Sequence, residues 1–109
     1  MAIDNLDIID GIDVDKDNNC ICLLIADPLE WHEDETERPH IKMLSQKIDA
    51  YMDYLEAEQY SNIYPNIEFN SAIIEIHFKY PITKKCKSYL ERVNEQVQHN
   101  GVLLEVHIG

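Results

Sequence analysis

Between Ile41 and Leu55 the chain carries its longest stretch of one period. Ile41, Leu44, Ile48, Tyr51 and Leu55 recur at steps of three and four, which lines their side chains along one stripe of an α-helix. Lys42, Gln46, Asp49, Asp53 and Glu56 fall away from that stripe, so the opposite face is wet. Cys86, Leu90, Val93 and Val97, widened by Tyr89, make a second stripe. It is opened by Thr83, a good N-cap, and stopped at Asn100-Gly101, where Gly suits the left-handed position after a helix.

The remaining apolar residues alternate or run together. Residues 7–14, DIIDGIDV, read as a strand whose phase breaks at Asp10-Gly11, so a bulge is expected there. DKDNN at 15–19 is a turn, and CICLLIA at 20–26 is a nearly continuous apolar run, either buried on both faces or central in a sheet. From Ile67 to Tyr80, Ala72, Ile74, Ile76, Phe78 and Tyr80 share one face, while Ile73, Glu75, His77 and Lys79 share the other. Val102, Leu104, Val106 and Ile108 alternate with Leu103, Glu105 and His107 in a final strand. The predicted order is β-β-α-β-α-β. This is an α+β, two-layer domain spanning residues 1–109, with a four-stranded mixed sheet and both helices on one face. Strands three and four, joined by a helix, are expected to be parallel with a right-handed crossover. SNIYPN at 61–66 is the turn after the first helix, and DPLEWHEDETERPH at 27–40 is a long acidic connection with Pro39 in the helix's first turn.

Charge sharpens this picture. The net charge is −12, and it is uneven: residues 1–41 hold twelve Asp/Glu against Lys16 and Arg38, whereas residues 42–109 hold nine against seven. Such a chain repels a phosphate backbone, which argues against nucleic-acid binding. With a mean hydropathy of −0.35 and no long apolar run, no membrane span is expected. MAIDNLDIID lacks the positive and apolar regions of a secretory signal, so a cytoplasmic location is expected. Cys20, Cys22 and Cys86 are odd in number and read as reduced, small apolar side chains.

IADPLEW, the helix HIKMLSQKIDAYMDYLEAEQ, and the later IYPN and IIEIHFKYP together resemble a family of small bacterial proteins known only as a domain of unknown function. Its Asp-x-Leu-Glu-Trp segment matches Asp27, Leu29, Glu30 and Trp31. Its Lys-apolar-polar-Ala-Tyr helix matches Lys47, Ile48, Asp49, Ala50 and Tyr51. The likeness runs from about Ile9 to Ile108. Pro28 stands where the pattern has a histidine, so a site built on that histidine would be missing. The resemblance implies a bacterial cytoplasmic α+β protein, and it brings no reaction, cofactor or catalytic residue.

Three functional readings compete. The first is a non-catalytic module of the immunity type, meeting a basic protein through the acidic loop of Glu30, Trp31, Glu33, Asp34, Glu35 and Glu37. Trp31 in that loop is either a contact residue or an anchor of the core. The second is a metal-dependent or acid–base enzyme using Glu75, His77, Glu105 and His107. Glu and His two apart on a strand share a face, and the four converge only if the two strands are neighbours. An exposed strand face produces the same alternation without any site. The third is a homodimer, through the open sheet face or through the basic residues Lys79, Lys84, Lys85, Lys87 and Arg92 meeting a second copy's acidic loop. Asp13, Asp15 and Asp17 alternate like a calcium loop, but Asn18 and Leu24 occupy the positions that need Gly and Glu. His32 and His40 lack metal-ligand spacing, and Cys86 on an apolar stripe reads as an inert thiol. No cofactor is expected, as no phosphate-cradling or dinucleotide motif occurs.

Overall fold

The computed structural model describes Ile3, residues 5–65 and residues 67–109. Its elements are β1 (Gly11–Asp15), β2 (Cys20–Asp27), α1 (Glu37–Glu56), β3 (Ser71–Phe78), α2 (Lys84–Gln98) and β4 (Val102–Ile108), with a 3-10 turn at Gln59–Asn62 after α1. The last residue of the turn expected at 61–66, Asn66, lies outside the described residues. The strands lie side by side in chain order: β1 antiparallel to β2, then β2, β3 and β4 parallel. Both helical crossovers step one strand onward in the same direction. Two crossovers of one hand therefore put both helices on one side of the sheet.

That side holds the core. Ile21, Leu23 and Ile25 of β2, Ala72, Ile74, Ile76 and Phe78 of β3, and Val102 and Leu104 of β4 meet Leu44, Ile48 and Tyr51 of α1 and Cys86, Leu90 and Val97 of α2 in one cluster. Burying one large aliphatic side chain contributes roughly 1.5–3 kcal/mol. A one-residue slip would turn a whole strand's set to water, so the apolar pattern fixes the register. Thr83 caps α2 as its sequence predicts, its Oγ1 accepting from the Cys86 N–H at 3.2 Å, and Gly101 takes φ +75°.

The run at 20–26 lies in a central strand, buried on the helix side and half-covered on the other. Two details depart from expectation. No bulge forms at Asp10-Gly11, and β1 pairs regularly with β2 from Gly11 opposite Leu24. Gly eases the packing there, because a Cβ would lie 3.2 Å from the Leu24 Cβ and Cδ2 and the Leu24 side chain would have to give by a few tenths of an ångström. Asp10 sits just outside the ladder, and its carboxylate does a backbone carbonyl's work by accepting from the Ala26 N–H at 3.0 Å. In β4 the expected dry face stops early: Val102 and Leu104 are buried, but Val106 and Ile108 are 41% and 53% exposed. β4 is an edge strand, and Asn94 of α2 accepts the Leu104 N–H at 3.0 Å.

Candidate functional site

The open side of the sheet brings together what the sequence could only align. Because β3 and β4 are adjacent and in register, Glu75 faces Glu105 and His77 faces His107. His107 Nε2 lies 3.2 Å from Glu75 Oε1 and 3.4 Å from Glu105 Oε1. His77 Nε2 lies 3.9 Å from the same Glu75 oxygen. The two imidazoles stack with centroids 4.6 Å apart and planes 10° from parallel. One donor atom each from Glu75, His77 and His107 falls within 4.8 Å of the others, a span that a metal ion can bridge.

A fifth residue, missed in the sequence, completes this group. Cys22 of β2 donates its S–H to Glu75 Oε2 at 2.7 Å. Burial, and then the hydrogen bond and negative charge of Glu75, push its thiol up to about 12, so it stays protonated at neutral pH. Cys22 lies opposite Ile73, two residues before Glu75 and on the same face of the sheet, a juxtaposition that only the β2–β3 register reveals. Glu75 thus spends one oxygen on Cys22 and turns the other to both histidines. The site is open: the histidines are nearly half exposed, and a shallow hollow of about 350 Å³ runs beside them past Ala26, Pro28 and Ile108. A deeper, half-enclosed hollow of about 430 Å³ lies at the opposite strand ends, and Glu56 is its one carboxylate.

The acidic loop is built differently. Glu30, Glu33, Asp34 and Glu35 are exposed. Trp31 is only 8% exposed: its ring stacks on His40 at 3.5 Å and meets the edge of Phe78 at 6.0 Å. Its ring is packed as an anchor of the loop. Glu37 is half-buried, and its Oε2 is out of water with no hydrogen-bond partner among the described residues. Asp34 accepts from the Thr36 N–H at 2.8 Å and from its hydroxyl at 2.5 Å, which holds the Asp34 carboxyl below its ordinary range. His32 pairs with Glu30 at 3.2 Å, and no other salt bridge involves the loop's exposed acids among the described residues.

Beneath the loop His40 Nε2 meets Asp27 Oδ2 at 2.7 Å, with both side chains buried. Asp27 Oδ1 also takes the Leu29 N–H at 3.1 Å. A second buried group lies at Lys47. Its ammonium donates to the carbonyls of Asn5 and Ile8 and, at 3.2 Å, to the Asp10 carboxylate. One turn on, the Tyr51 hydroxyl accepts from the Asp10 N–H at 2.8 Å and donates to the Leu24 carbonyl. A lysine falling between Leu44 and Tyr51 on an apolar stripe was the sequence signal for this group. The charged turn at 15–19 likewise uses its own acid, since Asp15 Oδ1 accepts from the N–H groups of Asp17 and Asn18.

Among the described residues no helix is long and apolar enough to cross a membrane. No curated protein and no solved structure matches the chain. Over residues 1–109 the chain belongs to a family of unknown function (DUF6572).

Proposed function

We propose that this protein is a non-catalytic binding module that meets a basic protein partner through its acidic loop, in the manner of an immunity protein. The observation that supports this is the construction of the loop. Trp31 is sunk into the core and stacked on His40, and Asp34 is hydrogen-bonded to Thr36, so Glu30, Glu33, Asp34 and Glu35 are presented to water on a fixed backbone. A preorganised cluster of like charges steers an oppositely charged partner and loses little conformational entropy when it docks. Trp31 and Glu37 contribute from beneath, by holding the loop rather than by touching the partner.

The test is capture of a basic protein by the wild type and by a Glu33→Lys/Asp34→Lys/Glu35→Lys variant, with a Glu91→Lys/Glu95→Lys variant of α2 as control. The expected result is a partner retained by the wild type and the control, lost by the loop variant, and released by salt. Retention by the loop variant would sink the reading.

The exposed Val106 and Ile108 beside the free edge of β4 favour a second reading, a homodimer paired along that strand. It predicts a dimer in sedimentation that Val106→Lys/Ile108→Lys turns into a monomer. A wild-type monomer at all concentrations would remove it.

A further inference from the structure

We propose that the open face of the sheet carries a binding site for one zinc-type divalent transition-metal ion, held by Glu75 Oε1, His77 Nε2 and His107 Nε2, with water at the fourth position and Glu105 Oε1 beside His107. A tetrahedral ion with bonds of about 2.0–2.1 Å needs its ligand atoms about 3.3 Å apart. His107 Nε2 already stands 3.2 Å from Glu75 Oε1 and 3.4 Å from Glu105 Oε1. His77 Nε2 stands 3.9 Å from Glu75 Oε1, and its exposed ring would rotate out of its stack on His107 to bring its lone pair onto the same ion.

Three features distinguish this group from chance alternation on a wet strand. The backbone positions are set by a continuous β3–β4 ladder, so little ordering remains to be done on binding. Both imidazoles bring Nε2 within 4 Å of one Glu75 oxygen, and His107 Nε2 also stands 3.4 Å from Glu105 Oε1. The other Glu75 oxygen is already held by the Cys22 S–H, as a ligating carboxylate is commonly oriented by an outer hydrogen bond. Cys22, which donates to the Glu75 oxygen turned away from the histidines, is therefore a positioning residue and not a ligand. Two imidazoles and carboxylates suit zinc, cobalt, nickel or copper far better than magnesium or calcium.

The experiment is calorimetric titration of the full chain with ZnCl2, together with visible absorption on titration with CoCl2. One zinc ion per chain is expected, with cobalt giving the intense bands of a four-coordinate site and MgCl2 not competing. His77→Ala and His107→Ala should each weaken zinc at least tenfold while the far-ultraviolet dichroism stays unchanged. Cys22→Ala should weaken it about tenfold, with Cys22→Ser restoring most of the loss. A His32→Ala/His99→Ala control and the acidic-loop variant should bind as the wild type does, which separates this site from the loop's role. No saturable binding by the wild type, or binding that survives His77→Ala/His107→Ala, overturns the proposal. Should an alanine variant unfold, His107→Gln replaces it and is read in the same way.

Discussion

Two of the histidine–carboxylate meetings among the described residues are alike in residue type and opposite in burial. His40 and Asp27 touch at 2.7 Å with side chains 6% and 0% exposed, roofed by Trp31. His107 and Glu75 touch at 3.2 Å with 45% and 29% exposed, and His77 reaches for the same carboxylate. In the first pair each partner's hydrogen bond is fixed within the protein, so the pair holds the acidic loop to the end of β2 and has no capacity left for a ligand. In the second, one carboxylate oxygen serves two imidazoles with water at hand, so neither ring is fully engaged. Burial, more than residue type, separates a structural contact from an available one.

The largest way to probe the buried side is Lys47→Met. It removes the donor from two backbone carbonyls and the Asp10 carboxylate. A loss of about 3–5 kcal/mol in urea unfolding at neutral pH is expected, the usual result of breaking one half of a buried pair. A loss below about 1 kcal/mol would show that the residues before β1 do not depend on it.

The two histidines are then compared directly. His40→Ala leaves the buried Asp27 oxygen unsatisfied and should cost about 1–3 kcal/mol. His107→Ala, made on the open face, should stay within about 0.5 kcal/mol of the wild type. Equal losses in the two denaturation curves would erase the distinction drawn between the sites.

Thiol reactivity sharpens it further. Cys22 and Cys86 both have thiols pushed up to about 12, Cys86 chiefly by burial and Cys22 by burial with Glu75 beside it. Iodoacetamide should modify the native protein slowly at both. Glu75→Ala should speed modification of Cys22 and leave Cys86 unchanged, as mass spectrometry of the labelled peptides will read. Unchanged Cys22 would mean that Glu75 does not hold it.

The smallest effect is expected at the loop. Asp34 is fully exposed, and its carboxyl is lowered first by the Thr36 hydroxyl. Its folded-state pKa lies below its unfolded one. The contact's stabilisation is therefore present at neutral pH and is lost as the pH falls through the lowered value. Thr36→Val should raise the Asp34 pKa towards the ordinary carboxylate range in a carboxyl NMR titration. An unmoved titration would show that the backbone N–H alone sets it.

The period of the apolar residues was enough to determine the architecture. Steps of three and four at Leu44, Ile48 and Tyr51 and at Cys86, Leu90 and Val97 are buried as helix stripes. Alternation from Ala72 to Phe78 is buried as one strand face. These are local patterns, each carried by the geometry of a single element, so a sequence displays them. What no single element carries was decided by the tertiary structure. Sequence placed Glu75 and His77 on one strand and Glu105 and His107 on another, but only the parallel register set them opposite one another and brought Cys22 to Glu75. Trp31 could be an anchor or a contact until His40 and Phe78 were found around it. Lys47 and Asp10, far apart in the chain, meet because α1 packs across the entry to β1. Such contacts depend on distance in space, and a one-dimensional pattern does not encode which of its charged residues will be brought together out of water.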